Sequence, residues 1–418
     1  MDEAVTLYHA GKFVEAERAY RKALNADPTN VEALAGAGAV ALLGNRVQQA
    51  QRWLEQAVER SPDHRWALQN LAEAAYRQDD FVAAARWLRR AAHAGGVDRT
   101  DSEVIARKLE AFRGVTPYRI DGDRRDVTVP LEIVDPLPVV NVGLGDGRIV
   151  PFFIDTGGHE VYLDQALVRD LRLATFGSTR GAGAGGKQAT EGHAHLDAMT
   201  LGGLRIHDIP VKTLDFSALG FAEALGGVDV KGVIGTAFLY HFLSTIDYPG
   251  GALILRPPTP QHRAALGRHA ANRHVVPFWL SGTHFLLAWG TVNDSDPMLL
   301  VVDTGGAGIG FVATRSTIDP AGITLDHDQA IAGPGAGGTA QAIPFVVDKL
   351  SIGDVSVPDV NGVFFPETDL EKDLGRDFPI GGILSHQFFR PHALTLDFVE
   401  MRLILTAPSR GVSDSRRR

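Results

Sequence analysis

Along the first hundred residues the apolar positions recur with a period of 34. Phe13, Val47 and Phe81 stand in register, as do Ala16, Ala50 and Ala84, then Tyr20, Leu54 and Leu88, then Ala23, Ala57 and Ala91. The alanines let paired helices approach closely and the larger residues fill the space between them. Pro28 and Pro62 close the first two units, where a missing N–H stops a helix, and Gly95-Gly96 stands at the third boundary. Gly11, Asn45 and Asp79 fall at the turn inside each unit. The pattern predicts helical hairpins over residues 1–97, with the first helix clipped because its unit starts a few residues short.

Residues 98–126 are polar and read as a connector, within which Glu103 to Phe112 has the makings of one more helix. From Val127 the texture changes to short apolar runs such as Val139-Val140-Asn141-Val142, punctuated by Gly and Pro, which predict strands. This region repeats itself. Asp155-Thr156-Gly157 follows the apolar run Pro151-Phe152-Phe153-Ile154, and Asp303-Thr304-Gly305 follows Met298-Leu299-Leu300-Val301-Val302, an offset of 148. The glycine-rich run Gly181 to Gly186 recurs at Gly333 to Gly338, and Leu204 to Ile209 recurs at Val355 to Val360. Gly232-Val233-Ile234-Gly235 returns as Gly382-Ile383-Leu384-Ser385, and Ile246-Asp247-Tyr248 as Leu396-Asp397-Phe398, both at an offset of 150. These landmarks define two homologous β-rich lobes, 127–258 and 274–408, joined by a linker at 259–273 and followed by a disordered tail at 409–418. The expected fold class is therefore multidomain: an all-α repeat solenoid followed by an all-β bilobal body.

Composition narrows the chemistry. The 418 residues suffice for two to four domains, and 44% hydrophobic with 22% charged is a globular balance. A net charge of -9 without a basic stripe argues against nucleic acid as a partner. The absence of cysteine excludes disulfides, thiolate nucleophiles and cysteine-ligated zinc. No apolar run reaches membrane-spanning length. Met1-Asp2-Glu3-Ala4-Val5 lacks the regions of a signal peptide, so the chain as it stands reads as cytoplasmic, or as periplasmic or secreted if a leader has been removed. His193 and His195 would share a strand face, but no third ligand is evident and packed or solvated histidines are favoured. No phosphate-binding glycine pattern stands at a strand–helix junction. Neither metal nor cofactor is expected.

The helical region resembles the tetratricopeptide repeat, carried by Gly11-Lys12-Phe13 with Ala16, Tyr20, Ala23 and Pro28. That implies a surface for a protein partner or a substrate segment, with a helical cap packed on the body as the simpler alternative. The two lobes resemble the retropepsin-like and pepsin-like aspartic proteases, through the doubled Asp-Thr-Gly, the glycine-rich runs and the late apolar-apolar-Gly strand. The resemblance implies an aspartic endopeptidase acting on an extended polypeptide, with Asp155 and Asp303 as a dyad that activates water. Thr156, Gly157, Thr304 and Gly305 would support the dyad. Flaps would lie at Gly183, Ala184 and Gly185 and at Gly335, Ala336 and Gly337, two flaps as in a fused retropepsin dimer. With both aspartates in one chain, a monomer is expected. Where the family carries Ser, Thr or Ala after the triplet, this chain has Gly158 and Gly306, which removes a hydroxyl donor and predicts a dyad titrating higher than in pepsin. His159, which lobe two replaces by Ala307, is a specificity candidate. A peptide-binding scaffold that retains the fold without turnover is the alternative reading.

Overall fold

The structure is a computed structural model that describes residues 1–122, 125–182, 188–267, 272–335, 338–374 and 377–408. Seven helices come first: α1 (Asp2–His9), α2 (Phe13–Ala26), α3 (Val31–Leu43), α4 (Val47–Arg60), α5 (Arg65–Arg77), α6 (Phe81–His93) and α7 (Arg99–Glu110). α1 has 8 residues against 13 in α3 and α5, the shortened start expected from the repeat register. α7 begins four residues before Glu103, because the Asp98 side chain accepts from the backbone N–H groups of Thr100 and Asp101 and so caps the helix there. The linker likewise carries a helix, Pro260–Gly267, with proline at its first position, where a missing N–H costs nothing. Residues 409–418, read as a disordered tail, lie outside the described residues.

The turns inside the three repeats share a left-handed backbone, with φ of 71° at Gly11, 53° at Asn45 and 59° at Asp79. All three turns touch the β-rich body. A β-carbon on Gly11 would stand 2.5 Å from Leu299 Cδ1. The Asn45 amide donates to the carbonyl of Phe398 at 2.7 Å, and Tyr240 donates to Asn45 Oδ1 at 3.0 Å. The Asp79 carboxylate lies 3.0 Å from His241 Nε2. One edge of the solenoid therefore runs from lobe two, across the junction, to lobe one.

Hydrophobic packing follows the same line. α3 is apolar on every side and is buried from Ala33 to Leu43, as a helix enclosed by neighbours must be. Phe13 packs edge-on against Phe378, with ring centroids 4.9 Å apart, and also contacts Trp279. Such aromatic pairs contribute about 1 kcal/mol each beyond the area they bury. These rings, with Leu287, Leu299 and Val301, form a core shared by the first repeats and lobe two. Phe81, Ala106 and Leu109 join the core of lobe one. Arg77, only 2% exposed at its side chain, donates to the carbonyls of Leu42, Leu280 and Gly282 and thereby ties α3 and lobe two to α5.

Each lobe is built on an eight-stranded sheet, and a six-stranded sheet joins them. At the centre of the joining sheet Leu243–Asp247 runs antiparallel to Ala393–Asp397, and the hydroxyls of Thr245 and Thr395 meet at 2.7 Å. Asp247 and Asp397 close hairpins: Asp247 accepts from Gly250 N–H, and Asp397 accepts from Val399 N–H, Glu400 N–H and Arg402 Nε. Within the lobes the duplication is kept residue by residue. Phe152, Phe153 and Ile154 pair in parallel with Gly232, Val233 and Ile234, and Leu300, Val301 and Val302 pair with Gly382, Ile383 and Leu384. Parallel neighbours end on the same side, so each pairing delivers the residue after the strand to one rim of its sheet.

Candidate active site

The residues delivered there are Asp155 and Asp303. Asp155 N–H donates to the carbonyl of Ile234 at 3.0 Å, and Asp303 N–H to that of Leu384 at 2.9 Å, so both loops leave their strands in one geometry. The threonines lock the loops to each other. Thr156 N–H donates to Thr304 Oγ1 at 3.1 Å, and Thr304 N–H to Thr156 Oγ1 at 3.0 Å. Each hydroxyl then donates onward to the opposite strand, Thr156 to the carbonyl of Val302 and Thr304 to that of Ile154. Both threonines are fully buried, so every one of these polar groups is satisfied within the protein.

Gly157 and Gly305 show how close the loops come. A β-carbon on Gly157 would stand 2.5 Å from Cγ of Asp303, and one on Gly305 would overlap Cγ of Asp155. Only glycine leaves room for the carboxyl groups to face each other. Burial first, and then the facing Asp303, push the Asp155 carboxyl well above the usual carboxylate range; the N–H groups of Gly157 and Gly158 oppose the rise.

The two loops are not equivalent beyond the triplet. Asp155 Oδ1 accepts from Gly157 N–H at 2.8 Å and from Gly158 N–H at 3.1 Å. Asp303 Oδ1 accepts from Gly305 N–H at 2.7 Å, while Gly306 N–H turns away to Ser385 Oγ at 2.9 Å. Ser385 in turn donates to the carbonyl of Asp303 at 2.8 Å. Ser385 stands where lobe one has Gly235, and its hydroxyl fills the space that a side chain at 306 would take. In lobe one that exchange is impossible, because a β-carbon on Gly235 would collide with the carbonyl of Glu160.

A swap tests this account. Gly306→Ser would drive its side chain into Ser385 Oγ and is expected to cost about 1–3 kcal/mol, as overpacking does. Adding Ser385→Gly should restore most of that loss. Gly158→Ser should be milder, since its nearest non-neighbour atom lies at 3.3 Å. Denaturant midpoints of the four proteins decide it: a Gly306→Ser chain as stable as wild type would refute the proposed competition for space.

Gly181-Ala182 and Gly333-Pro334-Gly335, from the glycine-rich runs, stand at the ends of long strands. Ala174–Ala182 pairs with Gln188–Leu201, and Ile331–Gly335 with Gly338–Ile352, where Gly335 faces Gly338. Gly183, Ala184, Gly185, Ala336 and Gly337 lie outside the described residues. His193 and His195 are on the strand Gln188–Leu201: His193 Nε2 lies 2.8 Å from Thr179 Oγ1, and the His195 ring packs 4.5 Å from Phe112. Among the described residues no group of three or more His, Cys, Asp or Glu is placed to hold a metal ion.

His159 sits between the ring of Tyr76 at 5.3 Å and that of His284 at 5.1 Å, and burial pushes its pKa down to about 3, which leaves it neutral near pH 7. Glu160 is buried beside it. Its Oε2 accepts from Lys108 Nζ at 2.5 Å and its Oε1 from the Tyr76 hydroxyl at 2.7 Å. Burial alone would raise the Glu160 pKa, but Lys108, His159 and Lys212 together hold it well below the usual range. Sequence reasoning passed over Lys108 and Tyr76, because a lysine and a tyrosine on amphipathic helices carry no local sign of a partner far away in the chain.

Comparison with known families agrees with this architecture. Residues 140–238 and 288–386 each match the family model described as aspartyl protease, and residues 7–59 match the tetratricopeptide repeat model. No curated protein matches the chain. The two lobes are thus aspartyl protease domains, preceded by tetratricopeptide repeats.

Proposed function

We propose that the paired aspartyl protease lobes form an aspartic endopeptidase in which Asp155 and Asp303 share one proton and activate a water between them. The observation that carries this reading is the reciprocal close approach at Gly157 and Gly305, which sets two carboxyl groups face to face in a half-buried site. Two carboxylates so placed cannot both ionise readily. The ionised member takes a proton from the water, the protonated member donates to the scissile carbonyl oxygen, and the tetrahedral intermediate collapses as the leaving nitrogen is protonated. Protein groups alone suffice for these steps. The strand pairs Ala174–Ala182 with Gln188–Leu201, and Ile331–Gly335 with Gly338–Ile352, stand where flaps of this family close over an extended polypeptide. The helical repeats supply a protein-binding surface. Their turn edge is docked on the lobes, which leaves the exposed faces of α2 and α4 for a partner. A monomer follows from a dyad complete within one chain.

The test is incubation with a mixed peptide library over a range of pH, with products read by mass spectrometry. Cleavage that disappears in Asp155→Asn and Asp303→Asn supports the endopeptidase. Peptide binding without cleavage at any pH supports the non-catalytic scaffold, which the asymmetry at Gly306 and Ser385 keeps as the second reading.

The pH profile gives a separate prediction. No hydroxyl follows either triplet, and burial and then the facing Asp303 push the Asp155 carboxyl above its usual range. Fewer donors to the charged form favour the protonated form. The rate maximum is expected above about pH 4, the region where ordinary aspartates titrate. A maximum below it would contradict a dyad that titrates higher than in pepsin.

A further inference from the structure

We propose that Glu160 is a positioning residue for the first catalytic loop and that the helical region holds it there through Lys108 and Tyr76. The inference rests on the endopeptidase reading for its kinetic consequence, but its structural content stands apart from turnover. The loop runs from Asp155 to Glu160. Its start is fixed by the strand pairing and by the threonine exchange. Its middle is fixed by backbone bonds: Thr236 N–H donates to the carbonyl of Gly158 at 2.9 Å, and Ala237 N–H to that of His159 at 2.8 Å. Its far end is fixed by a side chain. Glu160, 1% exposed, meets the equally buried Lys108 of α7 at 2.5 Å and the Tyr76 hydroxyl of α5 at 2.7 Å. Two residues upstream of Glu160 stands Gly158, whose N–H donates to the Asp155 carboxylate at 3.1 Å. A shift of Glu160 therefore reaches a donor to the dyad through two peptide units.

Lobe two lacks this clamp. At the same register stands Gly308, exposed and with φ of 67°, which has no side chain to anchor. Its loop is held instead by Ser385 and by the N–H of Gly310, which donates to the carbonyl of Asn361 at 3.0 Å. Only the first loop thus depends on groups from outside the duplicated lobes, and both groups come from helices that the lobes do not encode. Neither Lys108 nor Tyr76 touches the aspartates, so each acts through Glu160 and is not itself catalytic.

The closing experiment uses the full chain carrying Lys108→Met together with Glu160→Met. Replacing both members of a buried pair by apolar residues of similar size strands no charge, whereas removing one does; the double variant still gives up the acceptor of the Tyr76 hydroxyl, a loss of about 1–3 kcal/mol. Lys108→Met alone is made beside it as the broken-pair control. Two readouts are taken from the folded double variant: kcat and KM on a peptide the wild type cleaves, and hydrogen exchange of the amides at 155–160. Positioning predicts kcat lower by about tenfold or more at an unchanged KM, and faster exchange confined to that loop. A folded double variant with wild-type kcat and unchanged exchange would overturn the proposal. If the wild type cleaves nothing, exchange alone decides: faster exchange upholds the clamp while the endopeptidase reading fails, and unchanged exchange removes the clamp as well.

Discussion

Asp155→Asn and Asp303→Asn are each expected to lower kcat by about 10³-fold or more, roughly 4 kcal/mol of transition-state stabilisation, with the fold intact. An asparagine cannot take the proton from water at one position or serve as its acid partner at the other. The fold should survive because an asparagine Oδ1 still accepts the N–H groups of Gly157 and Gly158, or that of Gly305. Asp155→Asn should also change how stability depends on pH. In the folded wild type the Asp155 carboxyl is pushed well above its usual range by burial and by Asp303. The folded protein therefore holds a proton that the unfolded chain releases near the ordinary aspartate value of about 3.9. That contribution is complete below this value and is lost as pH rises through the raised one. Asp155→Asn removes the titration, so its melting temperature relative to wild type should be higher at pH 8 than at pH 3. Parallel pH profiles for wild type and variant would show that the Asp155 carboxyl is not raised on folding.

What could be read from the sequence and what could not differ in the range of the interactions concerned. The helical hairpins were legible because their pattern is local: Phe13 and Ala16 lie one turn apart, and Gly11, Asn45 and Asp79 do stand at the turns that their spacing suggested, in left-handed conformation. The pairing of the lobes was legible because duplication writes a long-range contact twice. Phe152 to Ile154 and Leu300 to Val302 reach the same register in their sheets because the same local sequence is present in both halves. Contacts made once left no such trace. Ser385 looked like a small imperfection in the repeat, yet it takes the Gly306 N–H that would otherwise be free for the carboxylate. Lys108 and Glu160 are 52 residues apart and belong to parts with different periodicities, so nothing local marks them as partners. The docked edge of the solenoid was hidden for the same reason: Asn45 reads as a turn residue, and its bond to Phe398 spans 353 positions.

Gly157→Ala, or Gly305→Ala, should lower both rate and stability, although it removes no catalytic group. The added methyl at 157 would stand 2.5 Å from Asp303 Cγ, well inside ordinary contact distance, so either the carboxyl or the whole loop must move by roughly an ångström. The carboxyl cannot swing freely, since its Oδ1 accepts from Gly305 N–H. The loop cannot retreat without stretching the buried exchange between Thr156 and Thr304. A displacement of about 1 Å in a reacting group costs on the order of 10²-fold in rate, and the strained or broken buried bonds cost about 1–3 kcal/mol each in stability. Gly158→Ala provides the control one residue away: its nearest non-neighbour atom would be at 3.3 Å, so its effects on rate and melting temperature should be small by comparison. The contrast separates two explanations for the glycine of the triplet. If loop flexibility were what mattered, alanine at 157 and at 158 would do similar harm. If the space is needed for the opposite carboxyl, harm falls on 157 and 305 and largely spares 158. Melting temperature and kcat for the three variants, measured side by side, decide between them.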